Sequence, residues 1–209
     1  MSAAILPTAP PATTSTPPPG AAGWRALKWT CDDFYAMENL PSLQGQKSML
    51  IDGEILVMPP PSPLSSMSHS LVEEALQDIF PRGQFTIRSQ LGLYFGINTD
   101  PVPDIAVVEG SPRTIAQHPR TALLVVEIAD TSFAYDTGDK ASLYAAAGIA
   151  DYWVIDVNDR RLHVFRDPQP DPTARYGANF KQVNVLHSTD TVAPLAATAH
   201  AVTVGDLLP

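Results

Sequence analysis

Three side chains in one stretch of this chain could do hydrolytic chemistry if folding brought them together: Asp104 in PVPDIAVV, Glu127 in LLVVEIADTS and Lys140 in DTGDKASLYAAAG. A carboxylate inside a run such as LLVVEI is costly to bury alone, so it must reach an exposed strand end, be paired, or bind a cation. In the plainer reading, Asp104 is a strand-end contact with solvent and Glu127 is half of a salt bridge. In the other, the two come from adjacent strands and hold one Mg2+ or Mn2+ through hard oxygen ligands. Lys140 divides the same way. It lies four residues after Asp136 and four before Tyr144, so a helix that includes Asp136 puts all three on one side. Lys140 then either pairs with Asp136 at the surface or points to the metal site, where it orients or deprotonates a water and offsets charge building on a phosphate.

Other candidates are less specific. Glu54 follows a turn glycine, and His69 and Glu73 lie one helical turn apart; each could complete a metal shell or be ordinary strand or helix surface. Gln90, with Arg88, lies on the more polar alternation of a strand that faces either a site or solvent. The five histidines are too scattered for a zinc signature. No glycine-rich phosphate loop and no G-x-S-x-G nucleophile turn is present. Cys31 is the only cysteine, which excludes an intrachain disulfide and a cysteine-based metal cluster.

The elements that must position these groups can be read along the chain. Thr30 is a candidate N-cap for a short helix reaching Met37. Asp52-Gly53 turns Met49–Ile51 back onto Glu54–Met58 as a hairpin. Pro59, Pro60, Pro61 and Pro63 predict a rigid loop, after which SHSLVEEALQDIF is an amphipathic helix with Ser68 as N-cap. QFTIRSQLGLYFG reads as one strand, Asp104–Val108 as the next, and the nearly unbroken apolar run Leu123–Ile128 as a central one. A helix over Asp139–Ala147 ends at Gly148, followed by strands Tyr152–Asp156 and Arg161–Phe165. RDPQPDPTA reads as a loop, Tyr176–Leu186 as a small peripheral β addition, and AVTVGDLLP as an apolar plug. The expected fold class is α/β, with a mixed central sheet, an N-terminal hairpin extension and a C-terminal β addition. Residues 1–23, rich in Pro, Ala and Thr, are expected to be a disordered tail on a single domain over 24–209.

Composition bounds the partners. A formal net charge of −9, with four lysines and nine arginines, argues against nonspecific binding along a phosphate backbone. Acidic metal sites and local basic patches are compatible with that total. No apolar run approaches the roughly 18 residues of a membrane span. The N-terminus lacks a basic segment ahead of an apolar one, so a cytoplasmic location is the expectation.

MLIDGEILVMPPPSPLSSMSH, PVPDIAVV, LLVVEIADTS and DTGDKASLYAAAGIADYWVID, in that order, resemble the Uma2 family, a large bacterial group first catalogued as a domain of unknown function and assigned to the PD-(D/E)XK nuclease superfamily. The resemblance spans about residues 28 to 207. It implies an α-β-β-β-α-β core of restriction-endonuclease type that binds a divalent metal and hydrolyses phosphodiester bonds, with DNA as the expected substrate; the alternatives are an RNA- or end-specific nuclease and an inactive descendant of the fold with a structural or regulatory role. By position, Pro103-Asp104 matches the PD element and Glu127 the D/E element. The x-K that should follow is missing, because position 129 is Ala. Lys140 stands in its place on the following helix, within a D-x(3)-K-x(3)-Y pattern completed by Asp136 and Tyr144. Asp130 is a second departure, where similar proteins have serine. The implied mechanism has Asp104, Glu127 and the Ile128 carbonyl on Mg2+, and Lys140 on the attacking water. Cutting both strands with one site per chain would favour a two-fold homodimer.

Overall fold

The computed structural model describes residues 26–37 and 40–209; the expected tail over residues 1–23 lies outside them. The first helix, α1 (Cys31–Ala36), opens on a reciprocal capping box in which the Thr30 hydroxyl accepts from the Asp33 N–H and the Asp33 carboxylate accepts from the Thr30 N–H. The expected hairpin follows as β1 (Lys47–Ile51) and β2 (Glu54–Met58). Its turn residues Asp52 and Gly53 have φ of 48° and 72°, the left-handed pair that a two-residue hairpin turn demands.

The next helix, α2 (Pro63–Ile79), starts earlier than the sequence reading placed it. Ser62 is its N-cap, accepting from the Ser65 N–H at 3.2 Å, and Pro63 occupies the first turn, where a missing N–H costs nothing. Ser68, expected as the cap, is instead buried in mid-helix and donates to the Leu207 carbonyl at 2.7 Å.

Six strands form the central sheet in chain order: β3 (Phe85–Ser89), β4 (Ile105–Glu109), β5 (Leu124–Ala129), β6 (Asp151–Asp156), β7 (Arg161–Pro170) and β8 (Ala178–Leu186). Every neighbouring pair is antiparallel except β5–β6. That parallel step needs a crossover. It is made by a continuous helical segment: α3 (Phe133–Tyr135), a π-helical turn (Asp136–Lys140) and α4 (Ala141–Ala146).

Three expectations change here. The single strand read over QFTIRSQLGLYFG ends at Ser89, because Gln90 takes a left-handed φ of 52° and the chain then passes over Asp100 and His118. A Cβ on Gly92 would lie 2.4 Å from Asp100 Oδ1 and 2.5 Å from His118 Nδ1, so only glycine fits that crossing. RDPQPDPTA is strand rather than loop as far as Pro170. Beyond Arg166 the strand β7 is paired on the β8 side alone, so Pro168 and Pro170 can sit in it without breaking a second ladder. Tyr176–Leu186 supplies the sixth strand of the main sheet, and the small C-terminal addition is the pair β9 (Thr191–Val192) and β10 (Val202–Thr203).

Both sheet faces are covered. Val72, Leu76 and Ile79 of α2 and the C-terminal Val204 and Leu207 pack against Ile105, Val126, Trp153 and Ile155. Tyr144 and Ala145 of α4 pack against Ala106, Val125, Tyr152 and Val154 on the other face. The hairpin lies over the second layer, bonded to it where Leu50 and Asp100 exchange backbone hydrogen bonds.

Asp151, fully buried at the start of β6, accepts from Arg166 Nε at 2.8 Å, Trp153 Nε1 at 3.0 Å and the Leu195 N–H at 2.8 Å. Replacing it leaves a partly buried guanidinium without its carboxylate, holding only the Ala193 carbonyl, and two further donors unpaired. Asp151→Ala is therefore expected to lower unfolding free energy by about 3–5 kcal/mol in urea titration; a loss below about 1 kcal/mol would contradict this role.

Candidate active site

Strand register brings the two acids together. Ile105 on β4 pairs with Val126 on β5, so one step further Asp104 faces Glu127. Both share the alternation of Ala106 and Val125 and project to the α4 side of the sheet. At the strand end the Asp104 side chain takes the place of a backbone acceptor: Asp104 Oδ2 accepts from the Ile128 N–H at 2.8 Å. On its other edge β5 bonds β6 through its odd-numbered residues, as in Val157 N–H to the Ala129 carbonyl, which leaves the Ile128 carbonyl directed to the Asp104 side.

Lys140 is turned inward. Its Nζ lies 3.0 Å from Glu127 Oε2 and 3.0 Å from Asp136 Oδ1, and only 6% of the residue is exposed. Asp136 came with it, so pairing with Asp136 and pointing at Glu127 are not alternatives. The widened π turn aims both residues into the protein, a geometry that recurs at functional sites. Ser132 donates to Asp136 Oδ2 at 2.5 Å, Tyr152 donates to the Asp136 carbonyl at 2.8 Å, and Tyr144 donates to Glu127 Oε1 at 2.7 Å. Glu127 is thus gripped on both oxygens, while Asp104 stays half-buried at the mouth.

The mouth opens on a cleft of about 690 Å³ between the hairpin, the Pro59–Pro61 segment, the start of α2 and the ends of the strands. His69 lies across it with Nε2 2.7 Å from Ser89 Oγ, and Gln90 lines it while its N–H bonds the Asp104 carbonyl at 2.9 Å. Glu54 is elsewhere: it forms a half-exposed ion pair with Lys28 at 2.9 Å and does not line the cleft. The sequence reading passed over Lys47, Tyr135 and Ser132, which line the same cleft. Lys47 had one available signal, being among only four lysines in an acidic chain, but nothing local shows that the hairpin folds over the acids.

Electrostatics follow from crowding. Three carboxylates, Asp104, Glu127 and Asp136, face the single ammonium of Lys140. Burial pushes the Glu127 carboxyl up to about 8; Lys140 and Tyr144 oppose this and Asp104 and Asp136 reinforce it. Burial pulls the Lys140 ammonium down, but Glu127, Asp136 and Asp104 outweigh it and hold it above the ordinary lysine range. Lys140 stays charged, and burial leaves Glu127 harder to ionise than an ordinary carboxyl.

The donors fit a hard divalent ion. Among the described residues no three His, Cys, Asp or Glu side chains converge as a ready-made cage. Two carboxylates and a backbone carbonyl are nevertheless the oxygen set on which Mg2+ or Mn2+ relies when waters and a substrate phosphate supply the rest.

The chain has clear relatives. The family model Uma2, described as "Putative restriction endonuclease", matches residues 31–199. A crystal structure of a "putative nuclease belonging to DUF820" from Anabaena variabilis ATCC 29413 superposes with a TM-score of 0.63 at 18% identity, covering 85% of this chain and 96% of that one, a likeness of fold. No curated protein matches.

Glu127 also sets a pH dependence. Its folded pKa of about 8 lies above the ordinary value of 4.5, so the stability it contributes is full below the lower value and is lost as pH rises through the higher one. Metal-free wild type should lose Tm between about pH 5 and about pH 9, whereas Glu127→Gln should show a flatter profile. Parallel profiles would contradict the assignment.

Proposed function

The chain belongs to the Uma2 family, and on that premise we propose that it is a metal-dependent nuclease that hydrolyses phosphodiester bonds in DNA. Restriction-endonuclease-like families generally use divalent metals, and the observation that carries the reading here is the geometry at the end of β5. Asp104 and Glu127 face one another across adjacent strands, and Lys140 lies 3.0 Å from Glu127.

Asp104, Glu127 and the Ile128 carbonyl are the residues that would hold Mg2+ or Mn2+. When bound, such an ion polarises a phosphoryl oxygen and acidifies a water. Glu127 must give up its raised-pKa proton to bind, so the site loads more readily as pH rises toward about 8. Tyr144 and Lys140 fix the two oxygens of Glu127, which leaves the carboxylate little freedom to rotate away from the cation. Asp136 holds Lys140, Ser132 holds Asp136, and the ammonium offsets the negative charge that develops as water attacks phosphorus.

A second reading is favoured by the same contacts. Lys140 bridging Glu127 and Asp136 satisfies a buried charge cluster without any metal, as a structural relic of the fold would. Cleavage decides between them. Asp104→Ala should abolish Mg2+- or Mn2+-dependent cleavage of DNA, and Lys140→Met should lower kcat by about a hundredfold or more with KM nearly unchanged. A folded wild type that cuts neither single-stranded nor duplex DNA with either metal would instead establish the relic.

A further inference from the structure

Lys140 is largely committed. Two of its three N–H donors go to Glu127 and Asp136, and the residue is nearly sealed from solvent, so it acts on charge at the reacting phosphate rather than anchoring an incoming strand. Lys47, at the start of β1, differs in each respect. It is half-buried and lines the cleft, yet makes no side-chain hydrogen bond or ion pair among the described residues. Lys47, Asp104 and Glu127 line the same cleft; burial and the Lys140 charge lower the Lys47 pKa, and the fields of Asp104 and Glu127 act against that shift.

Beside Lys47 the cleft wall is apolar. Met49, Leu56, Met58 and Val102 form it, with the Tyr135 ring at the end nearest Lys140. A cation without a partner next to an apolar and aromatic wall matches a nucleotide, with an anionic phosphate on one side and a flat base on the other. A base that is paired and stacked in a duplex cannot be laid against a wall inside such a cleft. The rest of the chain agrees, because thirteen basic residues against twenty-two acidic ones provide no track for many phosphates.

We infer that the cleft receives an unpaired nucleotide of the substrate strand, its phosphate held by Lys47 and its base by the wall around Tyr135. The inference rests on the phosphodiesterase reading above and narrows it to single-stranded or frayed nucleic acid. One strand in one cleft also removes the need for a two-fold dimer to cut paired strands.

The test is fluorescence anisotropy with a labelled 16-nucleotide single strand, the same strand annealed into a blunt duplex, and the same strand carrying abasic sites, with Ca2+ replacing Mg2+. Wild type should bind the single strand at least about tenfold more tightly than the duplex, and the abasic strand should bind severalfold more weakly than the intact one. Lys47→Met should weaken single-strand binding by about tenfold at low salt and reduce the slope of log K against log salt by about 0.7, the loss of one phosphate contact, while Lys47→Arg restores both. Duplex binding equal to or tighter than single-strand binding overturns the inference, as does an unchanged salt slope in a folded Lys47→Met or equal affinity for the abasic strand. The duplex and abasic comparisons use wild type alone, so they decide the matter even if Lys47→Met does not fold. Should the strand bind as expected but never be cut with Mg2+ or Mn2+, the hydrolytic reading falls and this one stands. Cleavage of duplex with no dependence on Lys47 gives the opposite result.

Discussion

The burial of Glu127 beside Lys140 is the constraint around which the rest of the site is arranged. A carboxylate sealed at the end of a central strand has no water to stabilise its charge, and the protein answers with one ammonium and one phenol. The ammonium is itself buried with several N–H donors to satisfy; Asp136 accepts alongside Glu127, and its second oxygen is tied to Ser132. The i,i+4 spacing puts Asp136 and Lys140 on one side of the helical segment, and the segment carries both, buried, through its π turn.

The same arrangement leaves Asp104 different from its partner across the sheet. One of its oxygens accepts from the Ile128 N–H at the β5 edge, and the side chain remains half-buried at the cleft mouth. One acid is thus fixed in the dry interior while the other meets solvent, and a ligand entering the cleft encounters Asp104, Lys47 and the apolar hairpin wall together. Docking of the hairpin through Leu50 and Asp100 creates that wall. Asp100 is held in turn by Tyr35 and His118, so helix α1 and the loop that follows β4 help to fix the roof of the cleft without lining it.

Much of this was legible along the chain. The alternation and apolar runs placed β4, β5 and β6 close to their observed bounds, Asp52-Gly53 marked the hairpin, and the types and order of Asp104, Glu127 and Lys140 pointed to one site. Errors fell where a local signal had two physical meanings. Four prolines looked like a loop, although Pro63 is a good first-turn residue. Ser68 looked like a cap, although a hydroxyl can equally be buried against the backbone carbonyl of Leu207. Pro168 and Pro170 looked like loop residues because sequence does not say whether a strand is paired on one side or two.

By itself the sequence determined the periodicities, the family to which the chain belongs and the residue types available for chemistry, because these depend on neighbours a few positions apart. Only the tertiary structure decided which charges meet. Glu54 and Lys47 lie on the two strands of one hairpin, Glu54 beside the turn and Lys47 at the open end opposite Met58, yet Glu54 is neutralised by Lys28 at the surface whereas Lys47 faces the cleft without a partner among the described residues. Lys140 could have pointed to solvent or to Glu127, and its inward direction comes from the π turn together with the packing of α4 on the sheet. The pairing of Glu127 with Lys140 across 13 residues of chain is settled by the sheet register and the crossover, and no window of sequence contains that geometry.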